Sequence, residues 1–166
     1  TTLTADAPAD VTMCDTYTLP PLTVGNYFTG TGGTGTALAV GAAITSTQTI
    51  YVYAETATTP NCTDENSFEL IINISPTPNT VSNMVVCDDD IDGLMVFDLA
   101  SNTTAIASGL GNVTVTYHTA LDSSGYPINQ VPDASAYTND PLLGLSQPIY
   151  ALVVDNDTGC YGITSF

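Results

Sequence analysis

The chain is 166 residues long and carries 17 Asp and Glu against no Lys or Arg, a formal charge of -17 with its one His neutral. An average domain of this length carries about twenty basic side chains, and without them the phosphate contacts behind nucleic-acid and anionic-membrane binding are excluded. With 43% hydrophobic residues the chain still has the material for cores, so it is expected to fold rather than behave as a disordered polyanion.

Short apolar–polar alternations, rich in Thr and Val and interrupted by Gly, Pro, Asn and Asp, predict strands and no helix. In chain order they fall at 11–14, 17–19, 37–40, 49–54 and 68–74, then at 83–86, 94–99, 113–118, 149–154 and 161–166. Many short strands at this spacing indicate β-sandwich modules. The Gly-rich stretch Thr29-Gly30-Thr31-Gly32-Gly33-Thr34-Gly35 has no Lys with which to cradle a phosphate and reads as a flexible loop. The longest apolar runs, 37–44 and 149–154, fall far short of the ~20 residues that span a bilayer. Nothing resembles a signal peptide, so the expectation is a mature, soluble segment.

Ser75-Pro76-Thr77-Pro78-Asn79-Thr80 separates two halves that repeat one another, because two prolines this close cannot continue a central strand. Cys62 is followed six residues later by Phe68, after Ser67; Cys160 is followed six residues later by Phe166, after Ser165. The first half runs on as Glu69-Leu70-Ile71-Ile72-Asn73, a stretch the second half lacks, while Thr1 to Pro8 matches the length from Glu69 to Pro76. The expected organisation is all-β, one period of a longer array: residues 1–7 as the last strand of a preceding repeat, projecting from its own module, 8–76 as a first Ig-like β-sandwich, and 77–166 as a second that lacks its final strand.

Four cysteines allow three pairings. One pair per module gives Cys14 with Cys62 and Cys87 with Cys160, each loop contributing about 4 kcal/mol in the chain-entropy model; a metal site is the rival reading, but there is no C-x-x-C spacing. The sharpest local motif is Asp88-Asp89-Asp90-Ile91-Asp92-Gly93. Asp88, Asp90, Asp92 and Gly93 fit the opening of a calcium loop, since hard oxygens at alternate positions of a tight turn can converge on one cation. The twelfth position is Leu99, so this is no EF-hand; Asp98, placed in a strand, is expected to complete a different shell. An acidic surface turn is the plainer alternative. The turns at 155–159 and 64–66 are weaker candidates of the same kind. His118 has no nucleophilic partner and no G-x-S-x-G elbow exists, so no enzymatic activity is expected. Asn73, Asn102 and Asn112 each begin a formal glycosylation sequon; such sequons arise readily in so Thr-rich and Asn-rich a chain and carry no functional reading.

The stretches Cys14-Asp15-Thr16-Tyr17-Thr18-Leu19-Pro20, Thr49-Ile50-Tyr51-Val52-Tyr53-Ala54, Cys87-Asp88-Asp89-Asp90-Ile91-Asp92-Gly93 with Val96-Phe97-Asp98-Leu99, and Pro148-Ile149-Tyr150-Ala151-Leu152-Val153 before Asp157-Thr158-Gly159-Cys160 resemble the tandem Ig-like repeats of giant Bacteroidetes cell-surface adhesins. The resemblance covers nearly the whole chain. It implies export by the type IX secretion system, an extracellular place on the bacterial surface, and a role like that of gliding-motility adhesins that form filaments. The expected function is a structural stalk whose partners are neighbouring copies of the same repeat, head-to-tail. The alternative is a calcium-dependent module that binds surface glycans or another ligand; an ice-binding surface, from Thr pairs such as Thr29/Thr31 and Thr114/Thr116, is a third.

Overall fold

The computed structural model describes residues 2–88, 91–144 and 146–166. It divides into two compact units, 1–74 and 75–166, so the boundary lies two residues before the one expected at 76/77. Each unit is all-β in character, as the alternation predicted.

In the first unit, β1 (Val11–Cys14), β2 (Tyr17–Thr18), β3 (Asn26–Gly30), β4 (Thr34–Leu38), β5 (Ala43–Ile44), β6 (Gln48–Glu55) and β7 (Thr63–Asn73) form a five-stranded sheet of order β1-β7-β6-β3-β4 and a small β2-β5 sheet. The core is built from the alternate residues that strand geometry sends to one face: Ile50, Val52 and Ala54 of β6, and Phe68, Leu70 and Ile72 of β7. Tyr27 closes it, edge-on to Phe68 at 6.3 Å between ring centres, with its hydroxyl donating to the Pro20 carbonyl at 3.2 Å. β7 is interior to the sheet. It pairs antiparallel with β6 along 63–70 and parallel with β1 along 70–73.

Two expectations for this unit are corrected. Residues 3–6 do not project: Ala5 is buried in the first core with Leu3 packed against it, the Ala5 amide donates to Asp64 Oδ2 at 2.7 Å, and Asn66 Nδ2 donates to the Ala5 carbonyl at 2.9 Å. A Leu and an Ala spaced by one Thr were enough to seat an extended segment along the β7 edge. The Gly-rich stretch is likewise no flexible loop but the β3–β4 hairpin. Gly32 and Gly33 take φ of +67° and +68°, which side-chain-bearing residues rarely adopt, and Glu65 accepts from both the Gly32 amide and the Thr31 hydroxyl.

The second unit contains β8 (Val96–Phe97), a 3-10 turn (Leu99–Asn102) running into the one-turn helix α1 (Thr103–Ile106), β9 (Val113–Leu121), β10 (Pro127–Gln130), β11 (Tyr137–Thr138), β12 (Tyr150–Asp155) and β13 (Tyr161–Ser165). Its main sheet has the order β10-β9-β12-β13, with a small β11-β8 sheet. Ala151 and Val153 of β12, Tyr117 of β9, Leu99, Ile106 and Ile149 make the core, and Phe166 stands edge-on to Tyr117 at 6.2 Å. The strand expected at 83–86 is not formed, and the helical turn at 99–106 replaces part of the strand expected at 94–99. Asp98 caps that turn by accepting from the Ser101 amide, the local use of Asp that favours a helix start over a strand.

Pro76 and Pro78 belong to this second unit and run beside β13 at Gly162. A Cβ on Gly162 would lie 2.0 Å from the Pro76 carbonyl oxygen and 2.7 Å from Pro78 Cδ. Gly162→Ala is therefore expected to lower stability in urea titration by about 2 kcal/mol or more through forced backbone displacement. Gly111→Ala, whose Cβ would meet nothing within 4 Å, should change it little; equal midpoints for the two variants would contradict this packing.

Candidate functional site

Each unit carries one cysteine at the end of its first strand or the matching segment, Cys14 and Cys87, and one just ahead of its last strand, Cys62 and Cys160. Cys14 closes β1 opposite Asn73. Asp15 beyond it takes φ +60° and donates its amide to the Asn73 carbonyl at 2.7 Å, so the chain turns sharply at the cysteine. Cys160 is completely buried. It is fixed by the β12–β13 hairpin, in which the Asp155 amide donates to the Cys160 carbonyl at 2.8 Å and Gly159 supplies φ +75°.

Cys62 holds the corresponding place in the β6–β7 connection, where the Thr56 amide donates to the Cys62 carbonyl and the Cys62 amide to the Thr56 hydroxyl, both at 2.9 Å. Cys14 and Cys160 are disulfide-bonded, whereas Cys62 and Cys87 are exposed free thiols. The expected pairs, Cys14 with Cys62 and Cys87 with Cys160, are thereby corrected. Repeat symmetry pairs the cysteines unit by unit, and the free state of Cys62 and Cys87 does not follow that pairing. A disulfide belongs to an oxidising compartment, the cell exterior or the periplasm.

The acidic residues predicted as cation ligands are engaged by the main chain. Asp88 accepts from the Ile91 amide at 2.8 Å and the Gly93 amide at 2.9 Å, and Asp92 from the Leu94 amide at 2.7 Å. Asp98 is the helix cap described above, and Asp90 lies outside the described residues. Among the described residues no three His, Cys, Asp or Glu side chains gather as a metal cluster. At 155–159, Asp155 Oδ1 accepts from the Asp157 and Thr158 amides, both at 2.9 Å. These bonds hold its carboxyl below the usual value, since hydrogen bonds to the charged form favour it. Asp122, held by the Ser124 hydroxyl and by main-chain amides, and Asp133, held by Ser135, shift the same way. Residues 64–66, read as an acidic turn, lie within β7.

These features fit one family description. Residues 83–166, just over half of the chain, match the model of the Flavobacterium inter-domain disulphide bond domain. The chain belongs to this family. No curated protein and no solved structure matches it. The matched region of the inter-domain disulphide bond domain takes in both Cys87 and Cys160, one free and one oxidised.

His118, expected to be an isolated strand residue, lies in β9 and is 6% exposed, with Nε2 2.9 Å from Thr116 Oγ1. Burial pushes its imidazole below 6.5, and Nδ1 is buried without a hydrogen-bond partner among the described residues. The unfolded chain thus binds the His proton more tightly than the native one. This contribution to stability is complete above pH 6.5 and is lost as pH falls through the lower folded value. The three Asp shifts contribute above pH 3.8 and fade below it. Urea titrations between pH 7 and 5 should show stability falling with acidity in the native chain and a flatter profile in His118→Gln; equal slopes would remove His118 as the cause.

Proposed function

We propose that the chain is a structural spacer of an extracellular bacterial surface protein, in which successive β-sandwich units are coupled by disulfides running from one unit to the next. The observation that carries this reading is the oxidation pattern: one bonded cysteine in each unit, Cys14 and Cys160, and one free thiol in each, Cys62 and Cys87. With four cysteines and two of them free, the proposed bond is Cys14 to Cys160. It joins the first-strand position of one unit to the last-strand position of the next. Repeating that rule along an array leaves Cys87 to pair with the last-strand cysteine of a following unit, and Cys62 with the first-strand cysteine of a preceding one.

The family description, which names an inter-domain disulphide, supports the same reading. The adhesin resemblance, with type IX export, gliding motility and head-to-tail neighbours of the same repeat as partners, belongs to this proposal and rests on the motifs quoted above. So does placement on the cell surface. A chain without Lys or Arg offers trypsin-like proteases no cleavage site, which suits an exposed thread. The calcium-dependent alternative rests on the Asp88, Asp90 and Asp92 motif; among the described residues, Asp88 and Asp92 accept main-chain amides.

Digestion with an Asp-directed protease without reduction, followed by mass spectrometry, tests the pairing. A linked peptide pair containing Cys14 and Cys160 is expected, with Cys62 and Cys87 alkylated before any reductant is added. Linked pairs Cys14–Cys62 and Cys87–Cys160 would overturn the coupling between units and return each disulfide to its own sandwich.

A further inference from the structure

A groove of about 540 Å³ opens in the second unit beside the end of β13, between residues 83–86 on one side and 146–149 on the other, with Phe166 at its head. The first unit shows what occupies the equivalent space. Cys14 corresponds to Cys87, so residues 84–87 correspond to β1; Phe68 corresponds to Phe166, and Ile149, whose main chain exchanges hydrogen bonds with Phe166 at 3.0 and 3.1 Å, corresponds to Ile50, which pairs with Phe68. In the first unit Glu69–Asn73 fills the gap between those two borders, parallel to β1 and beside residues 47–50. Leu70 and Ile72 point into the core from it, 0% and 9% exposed.

We infer that the groove is a strand slot: it receives an extended five-residue segment continuing directly from Phe166, with aliphatic side chains at its second and fourth positions. The hydrogen-bonding groups for such a strand are already in place. In the first unit Asp10 Oδ1 accepts from the Glu69 amide at 2.7 Å, and Thr47 Oγ1 accepts from the Ile72 amide at 2.9 Å. Asn83 stands where Asp10 does and Ser146 where Thr47 does, each keeping an oxygen that can accept the same bond, and both line the groove. Residues 84–87 form no strand although their counterparts in β1 do, as expected of a segment whose partner strand is missing. Phe166 is only half-buried, whereas Phe68, its counterpart, is 2% exposed beneath the continued strand. Adding a strand to a waiting edge supplies main-chain hydrogen bonds for affinity and alternate side-chain pockets for selectivity.

The N-terminal segment is not this strand. Residues 3–6 correspond to 76–79, since the Asp6 amide donates to the Val24 carbonyl as the Asn79 amide does to that of Ile106. The inference goes beyond the spacer reading and stands without it, because strand addition is read inside one unit.

The test appends Glu-Leu-Ile-Ile-Asn, the 69–73 sequence, after Phe166 of the full chain and compares it with the same chain extended by Glu-Ser-Ser-Ser-Asn. Hydrogen exchange of the Val85 and Val86 amides should slow about tenfold or more in the aliphatic extension alone, with a higher Tm. Asn83→Ala and Ser146→Ala in the extended chain should each return part of that gain. Equal exchange in the two extended chains would overturn the slot. Protection on adding the free pentapeptide but not on appending it would overturn continuation from Phe166.

Discussion

Everything in the first unit depends on β7 being paired along both edges. A strand in the middle of a sheet has its amides and carbonyls satisfied on both sides, and an unsatisfied buried group costs about 1–3 kcal/mol. The sandwich therefore recruits β6, β1 and the 3–6 segment to a single eleven-residue strand. The second unit solves the first half of the same problem in the same way: β12 pairs with β13, and Pro76–Pro78 passes so close to Gly162 that no side chain fits there. The second half of the problem is the groove. The half-burial of Phe166, against the full burial of Phe68, goes with that groove.

Composition imposes a second constraint. With no Lys or Arg, every carboxylate must find a hydrogen-bond donor other than a cationic side chain. The chain turns its acids to main-chain amides: Asp88, Asp122, Asp133, Asp140 and Asp155 each close a turn or cap, and Glu65 pins a hairpin. Such bonds leave the net repulsion of a polyanion in place. Small units under that repulsion gain most from covalent coupling, since stability in domains of this size is a narrow difference between large terms.

What the sequence disclosed followed from signals that act locally. β1 was legible to the residue, and β6, β12 and β13 to within about two residues, because turn residues bound each of them. β3, β5, β10 and β11 were missed: they are short, and Gly, Asn or Pro within or beside them erases the alternation. The placement of residues 1–7 failed because a proline was used as the ruler. Pro8 lies six residues before Cys14 and Pro76 eleven before Cys87, whereas the cysteine register itself puts Leu3 and Ala5 in the positions of Pro76 and Pro78. The same register puts Asn83 in the position of Asp10 and would have exposed that groove-lining residue. The disulfide pattern was not legible, since nothing local in a cysteine's sequence says whether its partner lies in the same module.

Pulling the oxidised chain by its ends in a single-molecule force experiment tests the central claim most directly, because a Cys14–Cys160 bond shields everything between those residues. Only the 13 residues before Cys14 and the six after Cys160 can then extend, about 7 nm at the ~3.6 Å per residue of a stretched chain. Adding a reductant should release the remainder, to about 60 nm in total. Release of the 62–87 segment in the oxidised protein, several nanometres beyond that limit, would contradict the account, because it would mean that no covalent bond spans the two units.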